Sequence, residues 1–142
     1  MVQSWLVPVD GSAVSLKPVD WIIAHHDDWK ALPAIHLLSV QPPLTGDASR
    51  FVNAEQLRDF HREEGLKALA EAQRRLDAAG IVPQLHVSVG DSAETIVEFA
   101  KSRGCELIMI GTRGHTGLGG TLLGSVASKV THLAPMPVLV CR

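Results

Sequence analysis

The glycines between positions 111 and 124, with Ser125 directly after the last of them, are spaced in a way that suits phosphate binding. Gly111 follows a short apolar run at residues 107–110, typical of a buried strand, and Ser125 opens a segment with helical apolar spacing. Glycine permits positive φ and close backbone approach to a ligand. The first amides of a helix lack partners, and the helix dipole adds positive charge there. The sequence therefore predicts an anion site between strand and helix, the alternative being a flexible surface loop.

Two familiar nucleotide motifs match this segment only in part. Residues 119–125 resemble a P-loop in their glycines and final serine. A P-loop has a lysine directly before that serine, which reaches the terminal phosphates, but Gly124 precedes Ser125 here. The absence of this lysine argues against a standard P-loop ATPase. Gly117 and Gly119 begin a dinucleotide-type pattern that lacks its third glycine and follows the fourth predicted strand rather than the first. His115 could contact a phosphate or act as a general base, or it could be an ordinary exposed loop residue.

The remaining candidate ligands and nucleophiles form no recognisable catalytic or metal-binding set. Residues 25–28 read His-His-Asp-Asp, but only His25 and Asp28 could share a helix face, so a solvated helix end is the simpler interpretation. Cys105 and Cys141 each adjoin a predicted strand and match neither a metal pair nor a disulfide framework. No serine, histidine and aspartate set can be assembled from the spacing.

Composition narrows the class of protein and its partners. A chain of 142 residues fits one domain, spanning 1–142, that can cover a central sheet on both sides. The net charge of −2 and the lack of a basic block give no support for nucleic acid or an anionic membrane surface as a partner. The longest apolar runs fall far short of the roughly 20 residues that cross a bilayer. With no export signal apparent after Met1, we expect a cytoplasmic protein.

The apolar pattern alternates between strands and helices along the chain. Strands are predicted at residues 5–9, 34–40, 81–89, 106–110 and 137–141, and helices at 14–28, 53–79, 92–103 and 125–133. The buried stripe of the long second helix is predicted at Leu57, Phe60, Leu66, Leu69, Ala72, Leu76 and Ala79.

Strict alternation favours an α/β fold with a parallel sheet and right-handed crossovers. Ligands of such sheets lie beyond the carboxyl ends of the strands, where the strand order reverses. If strands one and four are neighbours, Asp10, the residues near Val40 and the glycine segment converge on one crevice. A base or ribose could lie against Asp10 and Val40, with a phosphate tail running towards the glycines.

Several motifs resemble those of the universal stress protein family, and the resemblance extends from end to end. The segment from Pro8 to Ser12, Pro-Val-Asp-Gly-Ser, resembles the family's opening strand and turn, and residues 37–40 resemble its second strand. The most specific feature is a motif with three glycines. Any two residues separate the first glycine from the second, any nine separate the second from the third, and serine or threonine follows the third. This chain matches that spacing with Gly111, Gly114, Gly124 and Ser125. Residues 137–140 resemble the last strand of the family.

The resemblance implies a single-domain, Rossmann-like parallel sheet of five strands in the order 3-2-1-4-5, with helices on both faces. The complete glycine spacing marks the family's ATP-binding class, so the implied ligand is ATP or AMP, with Mg²⁺ accompanying ATP through Asp10 or Ser125. Asp10 and Val40 would lie near adenine and ribose, and Arg113, unless solvated, would add charge at the phosphates. The implied binding residues are Pro8, Asp10, Val40, Gly111, Arg113, Gly114, Gly124, Ser125 and Val126.

The resemblance also implies a homodimer formed through the last strand, residues 137–141. The function it favours is a dimeric nucleotide sensor or regulator in the stress response, with slow or no turnover of the nucleotide. Two alternatives remain at this point. One is a dimeric interaction module with an empty, vestigial site, and the other is a slow ATP hydrolase that uses His115 or a bound metal.

Overall fold

The computed structural model describes residues 3–112 and 123–142, except for the side chains of residues 47–49. Strands and helices alternate along these residues as the sequence predicts. The strands are β1 Ser4–Pro8, β2 Ala34–Gln41, β3 Gln84–Val89, β4 Leu107–Gly111 and β5 Val138–Cys141. The helices are α1 Lys17–His25, α2 Ala54–Ala78, α3 Ser92–Arg103 and α4 Ser125–Leu133.

Two elements are shorter than the sequence pattern predicts. The region predicted as the first helix contains a 3₁₀ turn at Val14–Leu16, then α1, then a second 3₁₀ turn at His26–Asp28. Pro18 lies in the first turn of α1, where its missing N–H costs no hydrogen bond. The third strand begins at Gln84 rather than at residue 81, because Pro83 cannot donate a ladder hydrogen bond.

The sheet has the order β3-β2-β1-β4-β5, and every pair is parallel, which confirms the predicted topology. β1 is central, with Leu6 opposite His36 of β2 and Ile108 of β4. The strand order reverses between β1 and β4. The carboxyl ends of β1, β2 and β4 therefore surround the switch point of the sheet.

Helices cover both faces of the sheet, and each face has its own hydrophobic core. Leu37 and Met109 belong to the core under α1 and α2, and Leu6 and Ile108 belong to the core under α3 and α4. All four side chains are 0% exposed. Burial on both faces explains why the strands read as continuous apolar runs rather than as alternating patterns.

The buried stripe of α2 differs from the predicted one in its first half. Phe60 and Leu66 are 44% and 39% exposed, whereas His61 and Gly65 face the sheet. A Cβ on Gly65 would lie 2.5 Å from both methyl groups of Val87 in β3, so only glycine permits this approach of helix to strand. That contact rotates the hydrophobic side chains at 60 and 66 towards the surface. In the second half of α2, burial of Leu69, Ala72 and Leu76 confirms the prediction.

Within residues 3–112 and 123–142, no helix is both long enough and apolar enough to span a membrane.

Candidate functional site

A cleft opens at the switch point, at the carboxyl ends of β1, β2 and β4 and beside the first residues of α3 and α4. Its volume is about 90 Å³. It is lined by Pro8, Val9, Asp10, Ser15, Leu38, Val40, Ser92, Ile96, Ile110, Gly111, Val126 and Ala127. Pockets that enclose a whole small-molecule ligand commonly measure about 300–1,000 Å³. The described part of this cleft therefore accommodates one flat ring rather than a whole nucleotide.

Asp10 is fixed at the rim of the cleft by the turn that follows β1. The backbone N–H of Ser12 donates to Oδ1 of Asp10 at 2.9 Å, and the N–H of Asp10 donates to the hydroxyl of Ser15 at 3.3 Å. The Ser15 hydroxyl in turn donates to the carbonyl of Ser12 at 2.8 Å. These local bonds hold an exposed carboxylate at the end of a buried strand.

The walls of the cleft are apolar and come from the sheet and from the helical layer on one of its faces. Leu38 and Ile110 are buried residues of β2 and β4, Val40 is half-buried near the end of β2, and Ile96 comes from the first turns of α3. Side chains on both sides of a narrow slot suit a flat, weakly polar ring. The polar residues of the lining are Asp10, which is exposed, Ser92, which is half-buried, and Ser15, which is buried.

Two helices begin beside the cleft without a side-chain cap. Neither Gly124, the N-cap of α4, nor Asp91, the N-cap of α3, makes a side-chain capping hydrogen bond. The N–H of Gly124 donates to the carbonyl of Thr112 at 2.6 Å, which ties the start of α4 to the end of β4. The outward amides of α4 are therefore those of Ser125, Val126 and Ala127, and an uncapped helix N-terminus of this kind attracts anions.

The backbone conformation of Gly111 and Gly124 does not itself require glycine. Neither has a positive φ, and Gly124 has φ −64° and ψ 162°, which any residue adopts. The positive φ that glycine permits is therefore not used at these two positions. A Cβ on Gly111 would instead clash with the carbonyl oxygen of Val14. Gly111 is required because the 3₁₀ turn after β1 packs directly against the end of β4.

The structure brings five of the predicted site residues into the lining of one cleft: Pro8, Asp10, Val40, Gly111 and Val126. Gly124 and Ser125 immediately precede Val126 at the start of α4. Arg113, Gly114 and His115 lie outside the described residues.

The sequence analysis did not predict several of the residues that line the cleft. Two of them, Ser15 and Ser92, could have been proposed from their positions after strands. Ser92 follows Gly90 and Asp91 at the end of β3, which is the same strand-to-helix position that drew attention to Asp10 and Gly111. Ser15 lies in the turn after β1. The apolar residues Leu38, Ile96 and Ile110 carried no signal, because nothing in the sequence separates cleft-lining from core apolar residues.

The other candidate residues are engaged in local hydrogen bonds or buried in the core. His25 and His26 each direct Nδ1 at a backbone carbonyl, that of Trp21 at 2.9 Å and that of Ile23 at 2.6 Å. Cys105 and Cys141 are buried free thiols, and burial raises the pKa of both. Among the residues that the structure describes, no group of three or more histidine, cysteine or acidic side chains is placed to hold a metal ion.

The strand order and the helices on both faces define a doubly wound α/β protein with a cleft at its switch point. The sequence matches the model of the universal stress protein family over residues 1–142. The chain therefore belongs to the universal stress protein family.

Individual relatives agree with this assignment. Universal stress protein YxiE of Bacillus subtilis (strain 168) is 31% identical over 148 aligned residues, covering 100% of both chains. The structure of MJ0577 from Methanocaldococcus jannaschii superposes with a TM-score of 0.79 at 25% identity, over 99% of this chain and 96% of that one. A universal stress protein solved in complex with cAMP has a TM-score of 0.70 at 27% identity, over 99% and 97% of the two chains.

Proposed function

We propose that the cleft binds an adenine nucleotide, ATP or AMP, and that the protein is a sensor or regulator rather than a rapid hydrolase. The observation that carries this proposal is the meeting of three features in one cleft. They are the strand-end carboxylate of Asp10, an apolar slot, and the uncapped N-terminus of α4. The relative solved with cAMP supports an adenine nucleotide as the class of ligand.

The features of the cleft suggest how the nucleotide lies. The adenine ring occupies the slot between Val40 and Ile96, and the ribose hydroxyls donate to the carboxylate of Asp10. The phosphates then face the first amides of α4 and the hydroxyl of Ser125, where the helix dipole favours negative charge. The spacing of Gly111, Gly114, Gly124 and Ser125 supports the same placement, with Arg113 adding positive charge. Mg²⁺ would enter with ATP, held chiefly by the phosphates.

We also propose that the protein is a homodimer, joined along the free edge of β5. This strand is the last of the sheet and pairs with β4 through residues 138–141. The half-buried Val138, Leu139 and Val140 make that edge apolar. An exposed apolar strand edge is a common surface for pairing between chains.

Isothermal titration calorimetry with ATP, AMP and adenosine, each with and without Mg²⁺, tests the nucleotide proposal. ATP should bind more tightly than adenosine, because only ATP places phosphates at α4. Equal affinities for the two would contradict the phosphate placement. Absence of heat with every nucleotide at about 1 mM would contradict binding itself and favour an interaction module with a vestigial site.

Asp10→Asn is the sharpest variant for the ribose contact. Asparagine retains an oxygen for the N–H of Ser12 but removes the charge, so the turn should survive while nucleotide affinity falls by about tenfold. Asp28→Asn, at the end of the 3₁₀ turn beyond α1, is the matched control and should bind normally. Phosphate release measured in the same samples addresses turnover. Rapid release that is lost in His115→Ala would assign the protein to the hydrolases instead.

A further inference from the structure

A second concave surface lies at the opposite side of the sheet from the β5 edge. It is a groove of about 760 Å³ between the N-terminal half of α2, the edge strand β3 and the chain after β2. Unlike the switch-point cleft, its volume falls within the range of about 300–1,000 Å³ that is usual for small-molecule sites. None of the predicted nucleotide-binding residues lines it.

The walls of this groove, which we call the α2–β3 groove, are largely apolar. Leu57 and Leu66 come from α2, and Leu85 and Val87 come from the facing side of β3. The helix approaches β3 most closely at Gly65, where only the lack of a side chain avoids Val87. The groove lies beside the turns that precede this contact.

His61 brings an unsatisfied polar group into the wall of the groove. Its side chain is among the groove-lining residues and is only 5% exposed. Both ring nitrogens are buried, and neither has a hydrogen-bond partner among the residues that the structure describes. A buried ring N–H without an acceptor is costly, so an acceptor from a ligand would remove an existing penalty.

Two arginines flank His61 on the same helix and also line the groove. Within the described chain, Arg58 and Arg62 make no hydrogen bond or ion pair with any acidic residue, although Asp59 lies between them in sequence. The arginines of the last turns of α2 behave differently: Arg74 pairs with Glu71, and Arg75 pairs with Glu71 and Asp20. Among the residues that the structure describes, the groove is thus lined by two arginine side chains that pair with no acidic side chain.

We infer that the α2–β3 groove binds a small amphipathic carboxylate, an apolar chain or ring that ends in one carboxyl group. The apolar part lies along Leu85 and Val87, and the carboxylate accepts from Arg58 and Arg62. Rotation of the His61 ring on binding brings one of its buried nitrogens to the groove surface, where it also donates to the carboxylate. The groove is enclosed by α2, β3 and the chain after β2, and its volume is that of a small-molecule site, which favours this ligand. An extended peptide would instead add a strand to the open edge of β3. The assignment is independent of the nucleotide proposal.

Titration with decanoate, followed by backbone amide chemical shifts, tests this inference. Saturable shifts should appear at residues 57–66 and 84–89 and not at Asp10 or Gly111. Decanol has the same tail without the charge and should bind at least about tenfold more weakly, as expected for lost hydrogen bonds to a charged group. Acetate has the charge without the tail and should give no saturable shifts below about 5 mM.

Arginine variants separate a specific site from general surface binding. Arg58→Gln and Arg62→Gln should each weaken decanoate binding by about tenfold. Arg74→Gln, on the same helix but outside the groove, is the matched control and should leave the affinity unchanged. His61→Leu keeps an apolar side chain on the buried stripe and should fold normally, with thermal unfolding as the check, while losing affinity for decanoate but not for decanol.

Three results would each overturn the inference: no saturable shifts with decanoate, equal binding of decanoate and decanol, or equal losses in Arg62→Gln and Arg74→Gln. An acidic peptide that binds the groove more tightly than decanoate would also overturn it, since the groove would then belong to a protein partner.

Discussion

Two histidines on neighbouring strands share one hydrogen bond inside the layer between the sheet and α3. Nδ1 of His36 lies 2.9 Å from Nε2 of His86, so one ring must donate and the other accept. Their rings stack with centroids 5.1 Å apart, and the ring of Phe99 lies 4.8 Å from that of His86. Burial lowers the pKa of both histidines, and the guanidinium of Arg103 lowers both further.

This pair predicts a loss of stability in mild acid. Because the folded pKa values lie below the ordinary 6.5, the unfolded chain binds more protons near that pH than the folded chain does. The contribution is fully present above pH 6.5 and declines as the pH falls through the folded pKa values. We therefore expect the free energy of unfolding, measured with urea in steps of about half a pH unit, to fall as the pH is lowered from about 7.5 to about 5.

A double variant identifies the source of that pH dependence. His36→Leu with His86→Leu removes both titrating rings and should flatten the profile, whereas His132→Gln, an exposed histidine in the last turn of α4, should leave it unchanged. If the double variant keeps the full slope, other groups cause the acid sensitivity.

Single residues also show where sequence reasoning about the site reached its limit. Asp10, Val40 and Gly111 could be found because each ends a strand, and strand ends converge at a switch point. The contact between His36 and His86 could not be predicted, because they are fifty positions apart in sequence and meet only through the register of β2 and β3. The contact of Gly111 with the carbonyl oxygen of Val14 could not be predicted, because it depends on how the turn after β1 folds back.

At the scale of elements, the packing of α2 on β3 depends on one glycine. Gly65→Ala should place a Cβ against the two methyl groups of Val87, which are held stiffly by the branched side chain. Alanine alone would favour the helix by about 1 kcal/mol. We expect the clash to outweigh this gain and to destabilise the fold by about 1–3 kcal/mol, measured by urea unfolding.

The double variant Gly65→Ala with Val87→Ala tests whether the clash is the cause. Truncating Val87 removes the methyl groups that the new Cβ meets, so the two changes should cost less together than the sum of their separate costs. If the stability losses of the two single variants simply add in the double variant, Gly65→Ala must perturb the helix at a place other than its contact with Val87.

The elements themselves were predictable because strands and helices leave periodic patterns. All five strands and the long α2 were found, and Asn53 begins α2 with a capping box to Gln56 that a sequence can show. The orientation of α2 about its axis was not predictable in its first half. Hydrophobicity favoured burying Phe60 and Leu66, but close packing at Gly65 placed them outside.

At the scale of the whole molecule, the fold separates three surfaces. The switch-point cleft lies at the carboxyl ends of the central strands, the α2–β3 groove lies at one edge of the sheet, and β5 forms the other edge. A ligand at one edge and a second copy at the other would therefore not compete for space with a nucleotide. If binding at one surface changes the affinity at another, the change must be transmitted by shifts of the helices, because the bound partners would not touch each other.

The hydrogen-bond pattern of β5 shows which residues could join two copies. The N–H of Ile108 donates to the carbonyl of Pro137 at 3.1 Å, and Ile108 lies opposite Val138 in the register. In a parallel pair the main-chain groups of alternate residues point to opposite sides. Residues 137, 139 and 141 therefore face β4, and Val138 and Val140 direct their N–H and carbonyl groups to the outer edge.

Val140→Pro removes one outward N–H and leaves the bonds to β4 in place, since edge strands tolerate proline at such positions. If two copies pair along this edge, sedimentation velocity should show the wild type as a dimer and Val140→Pro shifted to monomer, with little change in thermal stability per chain. Val140→Thr keeps the N–H and the branched shape and should remain dimeric. A dimer that survives Val140→Pro would place the interface on another surface, because no ladder through residue 140 could then be holding the two chains together.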